Sequence, residues 1–434
     1  MATIIPFKGV RYNQAKAGVL DDVITPPYDV IDAAAQNRFY EKNQFNVIRL
    51  ELGKTFPEDN ETNNRYTRAA ATFRDWLARG VLFHDEKPSL YLYEQEFTAR
   101  GEKKVRSGFI AGVQANDYSK GEVLPHEETL PKHKADRLNM MKTTLANFSP
   151  IFGLYADKEH RVEDLLNAAR GGRQPDMEVT EDNGVINRLW VISDEATVEA
   201  VVKAMADKKV FIADGHHRYE TAVTFGQEMT AQGKPGYNYL MVALVNLYNE
   251  GLVVFPTHRL VNNVKGLDVP KLLTDLHKDF EVEGLAAGTG LDDFIARLEE
   301  KGASAHAFGL YTPEKKFYLL TLKSEAILDQ LPLENRSAAW RRLDVSILHT
   351  LILEDLLGIG SKQRADESNL TYVRDEDVAL ASVDNGSAQL AFFMNATKVE
   401  EVTDIASGGE KMPQKSTFFY PKVVTGMVIN DYER

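Results

Sequence analysis

The sequence predicts a mixed α/β fold of the α+β class, in which strands and helices interleave along most of the chain. From Ile151 to Val261, apolar runs of strand length alternate with segments whose apolar residues recur at helical spacing. Leu90 to Phe97 and Val105 to Ala115 alternate apolar and polar residues on either side of a polar turn holding Arg100, Gly101 and Glu102, the pattern of a hairpin. A length of 434 residues predicts two or three domains, and a hydrophobic share of 43% is enough for sizeable cores.

Taken in order, residues 1–88 read as an αβ lead-in. It holds an extended opening, the turn Thr25-Pro26-Pro27-Tyr28-Asp29, and a helix with apolar positions at Tyr66, Ala69, Ala70, Phe73, Trp76 and Leu77, and Pro88 ends it. Residues 89–265 form the central region. After the hairpin come strand Ile151 to Tyr155, a helix near Val162 to Ala169, strand Leu189 to Ile192 and a helix near Thr197 to Ala206. Strand Val210 to Ala213, a helix near Tyr219 to Met229, and strands Tyr239 to Leu247 and Leu252 to Phe255 follow. Residues 266–434 restart the pattern with helices near Lys271 to Asp279 and Asp292 to Lys301 and a strand pair near His306 to Tyr311 and Phe317 to Leu322. Val345 to Leu357 is almost continuously apolar and is stopped by Gly358, so it reads as one buried helix. His349 lies inside it, and packing in a core or interface is the expected role for that histidine. No internal repeat or low-complexity run marks a boundary.

A formal net charge of −13 argues against a broad nucleic-acid or anionic-membrane surface and leaves room for a local basic pocket. The absence of cysteine excludes disulfides, thiolate metal sites and cysteine nucleophiles. The opening Ala2 to Lys8 lacks the basic and long apolar regions of a signal peptide, and no window approaches a membrane span. The expectation is a soluble, cytoplasmic protein.

The most informative run is Asp214-Gly215-His216-His217-Arg218, between the apolar strand and a helical pattern. A glycine at a strand-to-helix turn permits positive φ or close backbone approach, and the first helical N–H groups with the helix dipole favour an anion. Arg218 adds a planar fork for phosphate or carboxylate, and His216 and His217 add groups that exchange protons near neutral pH. The bland alternative is a helix cap by Asp214 with surface histidines and a solvated arginine.

A second cluster runs from Pro125 to Arg137. His126 is an acid–base group, Glu127 or Glu128 suits a general base or a metal carboxylate, and Lys132 and Arg137 suit phosphate oxygens. The alternative is a solvated loop with a helix start. The spacing lacks His-Glu-x-x-His, so magnesium held by one carboxylate and substrate phosphates fits better than zinc. Tyr28 and Asp29 in the proline turn are substrate-binding candidates, against a purely structural turn. Lys415, Ser416 and Thr417 are anion donors after the Gly408-Gly409 turn, or the polar edge of a strand, and no P-loop precedes them.

The pieces Pro26-Pro27-Tyr28-Asp29-Val30-Ile31, His126-Glu127-Glu128-Thr129, Asp214-Gly215-His216-His217-Arg218-Tyr219 and Lys415-Ser416-Thr417 with Tyr420-Pro421-Lys422 occur in the order seen in the bacterial and archaeal family called domain of unknown function 1015, which the whole chain resembles. The Asp-Gly-His-His-Arg element also resembles the motif of free serine kinases within the wider ParB/sulfiredoxin-like fold. The resemblance implies a central ParB-like catalytic domain over 89–265 and phosphoryl transfer between a nucleotide (ATP, ADP or AMP) and free serine, or the reverse from O-phosphoserine. Asp214, Gly215, His216, His217 and Arg218 would form the phosphate-binding turn, with magnesium expected as cofactor. Glu127 or Glu128 is the expected base on chemical grounds. Two other classes stay open. One is a metal-dependent phosphoesterase gathering His126, Glu127, Glu128, His216 and His217, and the other is a non-catalytic nucleotide-responsive regulator. Small-molecule partners are expected, without nucleic acid or membrane, and a homodimer is left open.

Overall fold

The computed structural model describes all residues except 128–130, 332, 334 and 434, together with every side chain but those of 131–133 and 365. The fold is mixed α/β, with helices and strands interleaved as the periodicity requires. The chain divides into two compact units: residues 1–125, 129–253 and 419–434 make the first, and residues 126–128 and 254–418 the second.

The first unit is built on a mixed sheet. Its strand order is Val123–Leu124, Val210–Asp214, Ile151–Tyr155, Tyr239–Asn246, Glu102–Gln114, Leu90–Ala99, Ile186–Ile192 and Met177–Thr180, with Ile4–Ile5 also on Glu102–Gln114. Ile151–Tyr155 is buried along its whole length, as an apolar run in mid-sheet must be. The expected hairpin is present, with a register running from Tyr91 opposite Ile110 to Ala99 opposite Glu102. Arg100 and Gly101 both have positive φ at its tip, which matches the right-handed twist of paired strands. Helix Arg65–Ala78 starts at Asn64, whose side chain accepts from the N–H groups of Tyr66 and Thr67, and buries Ala69, Ala70, Phe73 and Trp76.

Residues 1–88, expected as a separate lead-in, share this first unit. Gly9–Tyr12 pairs with both Leu82–His84 and Ile429–Asp431, and Ile429–Asp431 pairs in turn with Ala146–Asn147. Strand pairing between the two ends of the chain is a long-range choice that local periodicity does not encode.

The second unit carries an antiparallel sheet in the order Phe280–Gly284, Lys316–Leu322, Ala307–Thr312, Leu390–Phe393, His258–Val261 and Leu370–Val373. Helices Val269–Leu276, Leu291–Gly302 and Glu376–Asp384 contribute Leu272, Phe294 and Ala379 to its cores. The buried segment expected over Val345 to Leu357 differs from a plain α-helix. Asp344–Ile347 is α-helical and Leu348–Glu354 is π-helical, with Asp355 N–H donating to the Thr350 carbonyl and Leu357 N–H to that of Ile352. Each bond spans five residues, so the turn is wider than the apolar pattern alone suggests. Gly358 ends it at φ 69°, as expected. Among the described residues no helix is long and apolar enough to cross a membrane.

Candidate functional site

The Asp214 turn is a strand–glycine–helix junction. Asp214 ends Val210–Asp214, Gly215 sits at φ 97°, ψ 30° as the N-cap, and helix His216–Ala231 follows. A Cβ at Gly215 would stand 2.7 Å from Ile151 Cγ2 and 2.9 Å from Arg218 Nη2, so both the backbone angle and the space demand glycine. The register of Val210–Asp214 against Ile151–Tyr155 shifts between Ile212 and Asp214, an irregularity that re-aims the strand end.

Arg218 is buried and turned inward, which excludes the solvated-arginine reading. Its Nη2 donates to Asp214 Oδ2 at 2.9 Å, and its Nη1 donates to the Pro150 carbonyl at 2.7 Å and to Ser149 Oγ at 3.4 Å. Lys422 Nζ donates to the other carboxylate oxygen, Asp214 Oδ1, at 2.5 Å. Burial opposes the Asp214 charge, but Lys422 and Arg218 overcome it and hold the carboxyl down to about 2. His216 is buried in the first helical turn and its positive field acts on Asp214 in the same direction, while His217 is half-buried beside it.

Arg137 joins the same network. On helix Pro131–Thr144, its Nη1 donates to Glu51 Oε1 at 3.0 Å, its Nη2 donates to Asp136 Oδ2 at 2.5 Å, and its guanidinium lies 4.0 Å from the centre of the Tyr28 ring. Ser149 Oγ donates to Glu51 Oε1 at 2.9 Å, so Ser149 links the Arg218 and Arg137 ends of the cluster. Burial pushes the Glu51 carboxyl up against the pull of Arg137. For Tyr28, burial outweighs the nearby Arg218 and Arg137 and pushes the phenol up to about 12. Of the expected residues, Asp214, Gly215, Arg218, Arg137 and Tyr28 thus share one cluster with His216. Asp29 is exposed on the Tyr28–Val30 turn.

His126, Glu127, Lys415, Ser416 and Thr417 assemble in the second unit. His126 Nε2 lies 2.9 Å from Thr417 Oγ1, Glu127 Oε1 accepts the Lys415 N–H at 3.1 Å, and Ser416 Oγ donates to the Pro413 carbonyl at 2.5 Å. Glu128 and the Lys132 side chain lie outside the described residues. Among the described residues no three His, Asp or Glu side chains converge as metal ligands.

Sequence reasoning missed Glu51 and the anchor that delivers Lys422. Glu51 stands in the apolar run Val47 to Leu52, and a carboxylate inside such a run is the signal that could have found it. The anchor is a polar row across three strands, with Asn187 opposite Gln95 and Gln95 opposite Arg106. Arg106 is fully buried, donates to Gln95 and to the carbonyls of Tyr420 (3.2 Å) and Pro421 (2.5 Å), and lies 4.4 Å from the Phe152 ring centre. Gln95 Nε2 donates to the Lys422 carbonyl at 3.0 Å and to Asn187 Oδ1 at 2.9 Å. Three consecutive carbonyls are thereby fixed, and Lys422 is held over Asp214.

The family model described as protein of unknown function DUF1015 matches residues 4–346. The chain belongs to this family. No curated protein matches it by sequence. Among solved structures it is similar to a free serine kinase in complex with AMP, at 14% identity and a TM-score of 0.36, covering 72% of this chain and 90% of that one. A conserved hypothetical protein from Pyrococcus furiosus shares 15% identity at a TM-score of 0.34, over 72% of this chain and 94% of that one. SbnI with C-terminal truncation from Staphylococcus aureus shares 9% identity at a TM-score of 0.34, over 74% and 87%.

Proposed function

We propose that this DUF1015 protein transfers a phosphoryl group between a nucleotide and the hydroxyl of free serine, as a kinase or in reverse from O-phosphoserine. The observation that carries the reading is the gathering of Arg218, Arg137 and Lys422 with Tyr28 at a strand–glycine–helix turn. The resemblance of Asp214 to Arg218 to the free serine kinase motif supports a nucleotide as phosphate donor or acceptor, on a ParB-like central region. In the kinase direction the serine hydroxyl oxygen bonds to the terminal phosphorus as the bond from phosphorus to the nucleotide oxygen breaks. The hydroxyl proton passes to a carboxylate, for which the exposed Asp29 of the first unit is the candidate. His216 or His217 contacts the transferred group, and the turn supplies position and charge neutralisation, which such reactions chiefly need.

Asp214 and Glu51 are each already neutralised by Arg or Lys. They do not suit a resident magnesium ion, and no step here runs through one. The same ion pairs favour one second reading, nucleotide binding without turnover, because Lys422 and Arg218 hold Asp214 charged and keep it from taking a proton.

Phosphorus NMR of the purified protein with magnesium, serine or O-phosphoserine, and ATP, ADP or AMP in turn tests the proposal. Nucleotide-dependent formation or consumption of O-phosphoserine is the expected result. Inorganic phosphate released from O-phosphoserine without nucleotide would make it a phosphoesterase. Tight nucleotide binding with no turnover would leave the binding reading in its place.

A further inference from the structure

His349 is a buried imidazole whose Nε2 has no hydrogen-bond partner among the described residues, set in the π-helical turn Leu348–Glu354. Buried polar atoms in folded proteins are nearly always satisfied, and an exception asks for an explanation. Widened helical turns of this kind occur frequently at functional sites. His349 lines a cavity of about 250 Å³ within the second unit, together with Arg336, Trp340, Arg364, Tyr372 and Lys411. Among the described residues the lining holds three cations and one carboxylate, Glu354, which is paired with Arg364 at 3.3 Å.

The surroundings carry both signs, with Glu367 and Glu127 acting on Tyr372 against Arg259 and Arg364. Arg259 is fully buried and, among the described residues, donates only to the carbonyls of Thr257 and Lys415 and leaves its Nε unpartnered. Its guanidinium lies 5.6 Å from the centre of the Tyr372 ring that lines the cavity. Burial, with Arg259 and Arg364 nearby, pushes the His349 imidazole well down, so it is neutral and carries one donor and one acceptor nitrogen. A buried guanidinium without a carboxylate is unfavourable unless an anion balances it.

We propose that this cavity is a second ligand site that takes a small phosphate monoester. Cations from three separate segments suit a compact dianion better than a planar monocarboxylate, and guanidinium forks match phosphate oxygens. Thr350 and Ser361 add hydroxyls to the lining, and the rings of Trp340 and Tyr372 offer apolar walls for the organic part. The volume falls below the roughly 300–1,000 Å³ of pockets for drug-sized ligands, which limits the occupant to a small metabolite.

Trp340 gives a local readout, because its Nε1 donates to the Lys411 carbonyl at 2.9 Å beside the cavity. The chain has three tryptophans, so the full-length protein labelled with ¹⁵N-tryptophan gives few indole signals, and Trp340→Phe assigns the one that matters. The probes are inorganic phosphate and O-phosphoserine, with chloride at matched ionic strength as control. A saturable shift of the Trp340 signal is expected. Arg336→Met and His349→Gln should each weaken the affinity read there about tenfold or more, with the other two indole signals unchanged. If His349→Gln fails to fold, Arg336→Met alone decides. A Trp340 signal that follows only ionic strength, or an affinity unchanged in Arg336→Met, would overturn the proposal.

Discussion

Lys422 Nζ meets Asp214 Oδ1 at 2.5 Å, joining residues 208 apart in the chain, while Arg218 holds the other oxygen of the same carboxylate. The pair makes the candidate turn depend on a segment that no local motif connects to it. Because the Asp214 carboxyl is held down to about 2 from its usual 3.8, the unfolded chain binds its proton first as pH falls. The resulting stabilisation, roughly 2 kcal/mol, is fully present above about pH 4 and is lost as pH drops through 2. Lys422→Met should lower the thermal midpoint at neutral pH and move the onset of acid unfolding upward. Melting curves between pH 2 and 7 check this, and an unchanged acid limb would remove Lys422 from the charge balance.

Arg218→Ala should destabilise the protein by about 3–5 kcal/mol, because it strands Asp214 beside Lys422 alone and frees the Pro150 carbonyl. A solvated arginine would leave the fold intact on removal; the buried ion pair is the reason Arg218 does not. Arg218→Lys should fall between the two, since one ammonium cannot serve Asp214, Ser149 and Pro150 together. Urea denaturation, with nucleotide binding measured on whichever variants stay folded, separates the structural from the binding effect.

Gly215→Ala should cost about 2 kcal/mol or more through its positive φ and the approach of Ile151 and Arg218. The variant should melt lower than wild type and bind phosphate ligands more weakly. Equal melting temperatures would contradict the close packing at the turn.

Glu181 gives a pH dependence of opposite sign. Burial pushes its carboxyl up from 4.5 to about 7, against the hydrogen bond from Asn187. The folded state therefore keeps a proton that the unfolded chain has released, and stability falls as pH rises from about 4.5 to 7 and levels above that. Glu181→Gln keeps a partner for Asn187 and should flatten this slope, melting higher than wild type at pH 8. A variant with the wild-type slope would place the titration elsewhere.

Much of the fold was legible in local pattern. Ile151–Tyr155, the hairpin and the helix after Gly215 follow from alternation, turn chemistry and helical spacing, all short-range signals. Pairing across the whole chain was not legible, since Gly9–Tyr12 on Ile429–Asp431 depends on which apolar strands meet in three dimensions. The candidate site divides the same way. Asp214, Gly215 and Arg218 stand in one run and announce themselves, whereas Gln95, Arg106 and Asn187 lie among other polar residues of their strands and only register shows that they meet, as Glu51 meets Arg137 only in three dimensions. The π-helical turn at His349 escaped because an apolar run fixes burial and not the number of residues per turn.

The return of residues 419–434 to the first unit sets an order of events during synthesis. Residues 254–418 leave the ribosome before Lys422 and the strand Ile429–Asp431 exist, so until then the first unit lacks a strand and Asp214 has Arg218 but not Lys422 beside it. A nascent chain arrested before residue 419 should expose Gly9–Tyr12 to protease, and its protection should rise once Ile429–Asp431 is released. Assembly of the Asp214 turn thus waits on a segment made more than 150 residues after the second unit begins.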